Sequence, residues 1–253
     1  MLIGTDDGDP QLDRQGRSDS IMLVHLNEAR NQAYVISVPR DTWVQIPGHG
    51  ENRVNAAYAL GGAPLVLRTL ETLTGARMNH VAMIDFQGFV SLTQDLGGIT
   101  VNNRTAFSSQ GHRFSAGEIS LSGDEALLFV RERRALPSEQ NRAENQRNVL
   151  KAILSKGLSA GLVSDPLRFT RFVGNAAKRI KVDNDLTDSE LRSTAVSLRL
   201  GPGDIATLSL PLGQQSRVGG QRVRRVDRSQ LEQLSQALRK DTMADYVKKH
   251  PGG

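Results

Sequence analysis

Two apolar runs, SIMLVHLN (residues 20–27) and QAYVISV (32–38), are separated only by the polar EARN. β-rich runs this close together predict a hairpin or two neighbouring strands. That argues against an all-parallel sheet, since parallel neighbours need a long crossover. Further along, NAAYALGG and APLVLRTLETLTG predict helix, glycine break, helix, with Leu65, Leu67, Leu70 and Leu73 mostly on one face. HVAMIDF predicts a strand, followed by a short helix to Asp95, a turn at LGG and a strand at ITVNN. Ser122 and Glu125 form a capping-box pattern ahead of ALLF, and LFVRERR predicts a short strand after that brief helix. Pro137 and Ser138 open the best-defined helix, 139–159, whose Leu150, Ile153, Leu154 and Leu158 share a face, with Gly161 ending it. DPLRFTRFVGNAAKRI and TDSELRSTAVSLRL (capping box Thr187 and Glu190) predict two more helices. IATLSLPL predicts a strand, DRSQLEQLSQALRK a last helix, and residues 244–253 a disordered tail. Strands interleaved with helices predict one α/β domain over residues 1–243, a central mixed β-sheet sandwiched between helical layers.

A chain of 253 residues with 38% hydrophobic content suffices for one large domain. Its formal charge of +5 suits an anionic partner such as nucleic acid, an acidic membrane face or a phosphorylated ligand. Without cysteine there is no disulfide, thiolate metal site or cysteine nucleophile. The five histidines are scattered and never paired at metal spacing, which argues against a zinc site and a Ser-His-Asp triad. Phosphate-binding glycine loops and a G-x-S-x-G elbow are also missing. No run approaches the roughly 20 apolar residues that span a bilayer, and no basic, apolar leader precedes the strand-like LIG.

What remains is arginine and aspartate at strand ends. GTDD places Asp6 and Asp7 after the first short strand, GRSDS places Arg17 and Asp19 before the second, and VPRD places Arg40 and Asp41 after the third. FVRERR offers Arg131 and Arg133, which point to the same side if the segment is extended. Arg142 and Gln146, four apart, share a helix face near its start. Each pair, taken singly, also suits a surface ion pair worth about 0–1 kcal/mol or a charged strand edge. Their common form, an apolar strand that stops at Arg or Asp, suits a diphosphate gripped bidentately by guanidiniums. Aspartates at the same place would repel phosphate unless a divalent cation lies between them.

The ordered fragments GTDD, GRSDSIMLVHLN, VISVPRDTWVQIPG, NRVNAAYALGG, DFQGFVSLTQDLGGITV, LSGDEALLFVRERR and NRAENQRNVLKAIL resemble the LytR–CpsA–Psr family of cell-wall glycopolymer transferases over residues 2–159. The resemblance implies a mixed sheet between helical layers and a deep apolar pocket for a lipid tail. It implies transfer of a glycopolymer (teichoic acid, capsule or arabinogalactan) from a polyprenyl-pyrophosphate carrier to peptidoglycan through a phosphodiester. It places such a chain on the outer face of the bacterial cytoplasmic membrane, usually behind an N-terminal transmembrane helix that this sequence does not contain. Partners are then the lipid-linked glycopolymer, peptidoglycan and membrane lipid. Nucleic acid is not expected, given few aromatics and no basic helix stripe.

Carried onto this sequence, Asp6 and Asp19 match magnesium-associated aspartates, for Mg2+ or Mn2+. Arg17, Arg40, Arg131 and Arg133 match pyrophosphate-binding arginines, and Arg142 and Gln146 face the same site. Arg40, Asp19 and Asp6 are the catalytic candidates; Asp41, Arg53 and Asn55 are supporting ones. The lipid pocket is expected among Val81, Met83, Phe86, Phe89, Leu150, Ile153 and Leu154. Gly8 stands where the family often writes arginine, and Glu139 where it often writes aspartate. Three rival readings are a pyrophosphatase passing the phosphate to water, a nucleic-acid-binding module suggested by the basic charge, and a non-catalytic wall-binding protein.

Overall fold

The computed structural model describes residues 1–5, 18–158, 174, 180–183 and 187–251. The first half runs β1 (Leu2–Thr5), β2 (Ser18–Leu26), β3 (Ala33–Val38), β4 (Thr42–Ile46), β5 (Gly50–Arg53), α1 (Ala56–Thr74), β6 (Ala82–Ile84), α2 (Phe86–Asp95) and β7 (Ile99–Asn103). Then come β8 (Phe107–Ser109), β9 (His112–Phe114), β10 (Gly117–Leu121), α3 (Gly123–Arg131) and α4 (Glu139–Gly157). The remainder is β11 (Ile180–Val182), α5 (Asp188–Ser197), β12 (Ile205–Ser209), β13 (Leu212–Val218), β14 (Gln221–Val226), α6 (Arg228–Arg239) and α7 (Met243–Lys249).

The central sheet has the order β11-β6-β1-β2-β3-β12. β2 pairs antiparallel with β3, Ile21 opposite Val38 through Leu26 opposite Ala33, whereas β1–β6 and β3–β12 are parallel. Alternation along β2 and β3 separates two cores. Ile21, Leu23, Tyr34, Ile36 and Val38 pack against α1, α6 and α7 through Leu65, Leu70, Leu234 and Tyr246. Met22, Val24, Ala33 and Val35 face the other way, toward Leu150 and Leu154 of α4. All six residues of β3 are buried because both faces of that strand are covered.

A separate core lies under α2, α3 and α4, where Phe107, Phe114 and Phe129 cluster with ring centroids 4.8–5.4 Å apart. Phe129 is 1% exposed. Truncating it to alanine is expected to cost about 3–5 kcal/mol, read as a drop in urea midpoint at unchanged slope.

The helix break falls at Gly61 and Gly62, whose backbones leave the helical region inside α1. Thr187 and Glu190 do form a reciprocal capping box. Four expectations fail. Residues 128–131 of LFVRERR are the end of α3, not a strand. Asp124 and Glu125 in the first turn favour that helix, which buries Ala126 and Phe129 on one side. Ser122 stands at its N-cap without a side-chain bond, and Thr93 Oγ1 accepts the Gly123 N–H instead. The supposed tail is α7 as far as Lys249, with Met243 and Tyr246 buried in the main core. Val81 packs in that main core rather than beside α4. The helix expected at DPLRFTRFVGNAAKRI lies almost entirely outside the described residues.

Candidate active site

Pro39 contributes no N–H, so β3 ends there, and the chain turns with the Thr42 N–H on the Pro39 carbonyl at 2.9 Å. Arg40 sits in this turn, its carbonyl accepting from the Asn55 N–H at 3.4 Å. Across from it, α4 starts at Ser138, whose Oγ accepts the Asn141 N–H. Glu139 occupies the first turn, where the helix dipole favours a carboxylate. Its Oε2 meets Arg142 at 2.6 Å and its Oε1 meets Arg40 at 3.4 Å, so one carboxylate aligns two guanidiniums. Arg142 is 4% exposed. One turn on, Gln146 Nε2 donates to the Val130 carbonyl at 3.2 Å, one of those left over at the end of α3. Arg131 closes α3 with its guanidinium 4.2 Å from the Phe86 ring centroid, a cation–π contact.

These side chains border an apolar cavity of about 260 Å³ between the α4-facing side of the sheet and α2, α3 and α4. Leu2, Met22, Met83, Phe86, Phe89, Leu150, Ile153 and Leu154 line it, while Ser20, Asp85, Arg131, Arg142 and Gln146 stand on its polar border. A narrower cleft beside it is lined by Ser20, Ser37, Pro39, Arg40, Glu139, Arg142 and Gln146. The two share Ser20, Arg142 and Gln146 as walls, so the cleft adjoins the polar border of the cavity. The cavity opens to solvent, and its apolar lining gives up water favourably when an apolar chain enters. Gly4 borders it, and a Cβ there would sit 3.3 Å from Ser20 Cβ, closing in on the mouth.

The geometry thus gathers Arg40, Arg131, Arg142 and Gln146. Arg133 is on an exposed loop and lines neither space, because α3 ends before it instead of continuing as a strand. Asp41 is in the turn, its carbonyl accepting the Arg224 N–H at 3.0 Å. Arg53 ends β5 opposite Trp43, and Asn55 is at the N-cap of α1. Asp6 and Arg17 lie outside the described residues; of Asp19 only the backbone, in β2, is described. That backbone is informative. Gly4 pairs with Ser20 and Thr5 with Ser18, leaving Asp19 as the extra residue of a bulge. Among the described residues no group of three or more His, Asp or Glu side chains gathers to hold a metal.

Three positioning residues carry no obvious sequence signal. Asp85 caps α2, Oδ1 accepting the Gly88 N–H at 2.7 Å. Arg147 reaches behind the site to Ser37 Oγ at 2.6 Å, and burial draws its pKa below the ordinary arginine value. Glu132 accepts the N–H groups of Arg133, Arg134 and Ala135 at 2.6–2.9 Å, fixing the loop that carries Arg133. A hydrogen bond from Ser109 and these backbone bonds hold the Glu132 carboxyl below its ordinary pKa of 4.5. A depressed carboxylate stabilises above its unfolded pKa and loses that contribution as pH falls through the folded one. Amide protection at 133–135 is therefore expected at neutral pH, to fade in acid below the ordinary carboxylate range, and to be missing at neutral pH in Glu132→Ala.

Fold and site together define an α/β domain with an arginine-rimmed apolar pocket. The chain belongs to the LytR_cpsA_psr family, whose profile matches residues 1–240. It is 34% identical over 241 residues to the polyisoprenyl-teichoic acid–peptidoglycan teichoic acid transferase TagU of Enterococcus faecalis, covering 94% of this chain and 78% of that one. It is 36% identical over 166 residues to TagU of Bacillus mycoides, covering 65% of this chain and 54% of the relative, so that match spans about half the relative's length. The crystal structure of B. subtilis TagV shares the fold, with a TM-score of 0.82 at 24% identity over 96% of both chains. TagT bound to LIIa-WTA superposes with a TM-score of 0.74 at 26% identity, covering 96% of this chain and 89% of that one.

Proposed function

We propose that this chain transfers an anionic glycopolymer from a polyprenyl-pyrophosphate carrier to peptidoglycan, joining them by a phosphodiester. The observation that carries the reading is an apolar cavity bordered by Arg131, Arg142 and Gln146, adjoining a cleft that Arg40 lines with Arg142 and Gln146. The polyprenyl tail fills the cavity, and the diphosphate sits among the arginines, whose planar forks bind oxygen pairs. The Enterococcus relative is a teichoic acid transferase, which supports the same substrate class.

In the reaction, a peptidoglycan hydroxyl oxygen attacks the sugar-proximal phosphorus in line. The bond from that phosphorus to the bridging oxygen breaks, and polyprenyl phosphate leaves with the electron pair. Asp19 or Asp6 takes the hydroxyl proton. Arg40 and Arg142, held in place before substrate arrives, offset charge growing on the bridging and equatorial oxygens. The aspartate of the pair that does not take the proton would hold Mg2+ or Mn2+, which would supply further positive charge to the diphosphate. The domain works on the outer face of the bacterial cytoplasmic membrane, where carrier lipid and peptidoglycan meet. No helix among the described residues is long and apolar enough to cross a membrane.

The test is incubation with a lipid-pyrophosphate glycan, with and without peptidoglycan oligomers. Glycan joined to the oligomer by a phosphodiester is the expected product. Free phosphorylated glycan alone in both tubes would instead make the protein a pyrophosphatase, and no turnover in either would leave only a binding role.

A further inference from the structure

β13 and β14 form a hairpin closed by Gly219 and Gly220, both at positive φ, as a two-residue turn requires. Arg217 stands directly opposite Arg222, and Gln215 opposite Arg224. Arg222 and Arg224 are two apart, so Arg217, Arg222 and Arg224 share one face. Like charges directly opposite each other destabilise a strand pair. Among the described residues no carboxylate lies within ion-pair distance of these three, whereas Arg225 on the opposite face has Glu51 at 4.0 Å. The hairpin thus keeps a repulsive arrangement that an anion would relieve.

The base of this face adjoins the site. The Arg224 N–H bonds the Asp41 carbonyl, and its guanidinium lies 2.7 and 3.2 Å from the Gln140 side-chain oxygen, with the amide oriented to accept. Gln140 is next to Glu139, which holds Arg40 and Arg142. β14 runs parallel to β4 with Arg224 beside Thr42, so stepping back from Arg224 to Arg222 follows the direction from Thr42 back to Arg40. The cavity wall lies further along α4, at Leu150 and Leu154, whereas the hairpin meets its first turn. A ligand with its tail along α4 and its head at Arg142 would leave the site past Gln140.

We infer that the Arg217–Arg222–Arg224 face is a subsite for the polymer part of the donor, binding the phosphodiester groups that follow the first sugars. This rests on the function proposed above. Arg222 and Arg224, about 7 Å apart along β14, with Arg217 about 5 Å across from Arg222, suit a chain carrying repeated phosphates better than the isolated carboxylates of a peptidoglycan stem.

The Arg217→Gln/Arg222→Gln double variant tests it. Both residues are exposed near the hairpin tip, and removing their repulsion should hold or raise Tm, which separates a binding defect from misfolding. Two donors are compared, a lipid diphosphate bearing a poly(glycerol phosphate) chain and the same lipid diphosphate bearing only a disaccharide. KM for the long donor is expected to rise about tenfold, the scale of two exposed charge contacts, and the difference should shrink with added salt. KM for the short donor should stay put. An unchanged KM for the long donor, an equal rise for both donors, or a rise only in the KM of the peptidoglycan acceptor would overturn the inference. Binding of lipid-free poly(glycerol phosphate) to both proteins at low salt separates it from the function itself. Weaker binding by the variant supports the subsite even if neither protein transfers glycan; equal binding by both overturns it.

Discussion

Arg40→Ala is expected to lower the rate of glycopolymer transfer by about 10²–10³-fold, the usual cost of removing one preorganised donor from developing charge. Its melting temperature should move by no more than about 2–4 °C, because a partly exposed ion pair contributes about 1 kcal/mol or less. The guanidinium is 28% exposed and touches Glu139 at 3.4 Å. The turn that carries it is closed by backbone bonds from Thr42 and Asn55, which alanine leaves intact. Arg40→Lys should recover only part of the loss, since an ammonium keeps the charge and loses the fork. Initial rates beside a thermal melt check this. Unchanged turnover with a folded variant would remove Arg40 from the chemistry.

The second large effect is expected from Leu150→Trp. Leu150 lies on α4 against the cavity, and the larger indole would occupy space meant for the lipid. At about 0.8 kcal/mol per buried CH₂, excluding one five-carbon unit should weaken binding of a polyprenyl diphosphate by roughly 10²-fold or more. Leu150 is only partly buried, so the fold should survive, as circular dichroism would show. Inorganic pyrophosphate, which has no tail, should bind wild type and variant alike. Unaltered lipid affinity would mean that the tail lies elsewhere.

The readable parts of the sequence were those where local pattern and tertiary environment agree. Ile21 and Leu23 alternate with Met22 and Val24 because β2 is covered by helices on both sides. Arg142 and Gln146 reach one cavity because four residues make about one helical turn. LFVRERR misled because Leu128, Phe129 and Val130 suit a strand equally well; the glycine start and acidic first turn upstream decide for helix. The β13–β14 hairpin was missed because its strands are largely polar, as exposed strands often are. Gly219-Gly220 between short alternating runs was the available signal. α7 was hidden by the terminal KKHPGG, although Met243 and Tyr246, three apart, already marked a buried stripe. Glu132 could not be read at all, since its role depends on three amides converging in a loop.

The central claim is that one cavity holds a prenyl tail while its arginine mouth holds the attached diphosphate. Titrating the wild-type protein with a polyprenyl diphosphate and the matching monophosphate, then solving the diphosphate complex, tests it most directly. The diphosphate is expected to bind about tenfold tighter or more, given an additional charge-assisted contact. Its tail should lie beside Leu150 and Leu154, and its phosphates against Arg40, Arg131 and Arg142. Equal affinities, or a lipid bound outside the cavity with those arginines untouched, would contradict the account.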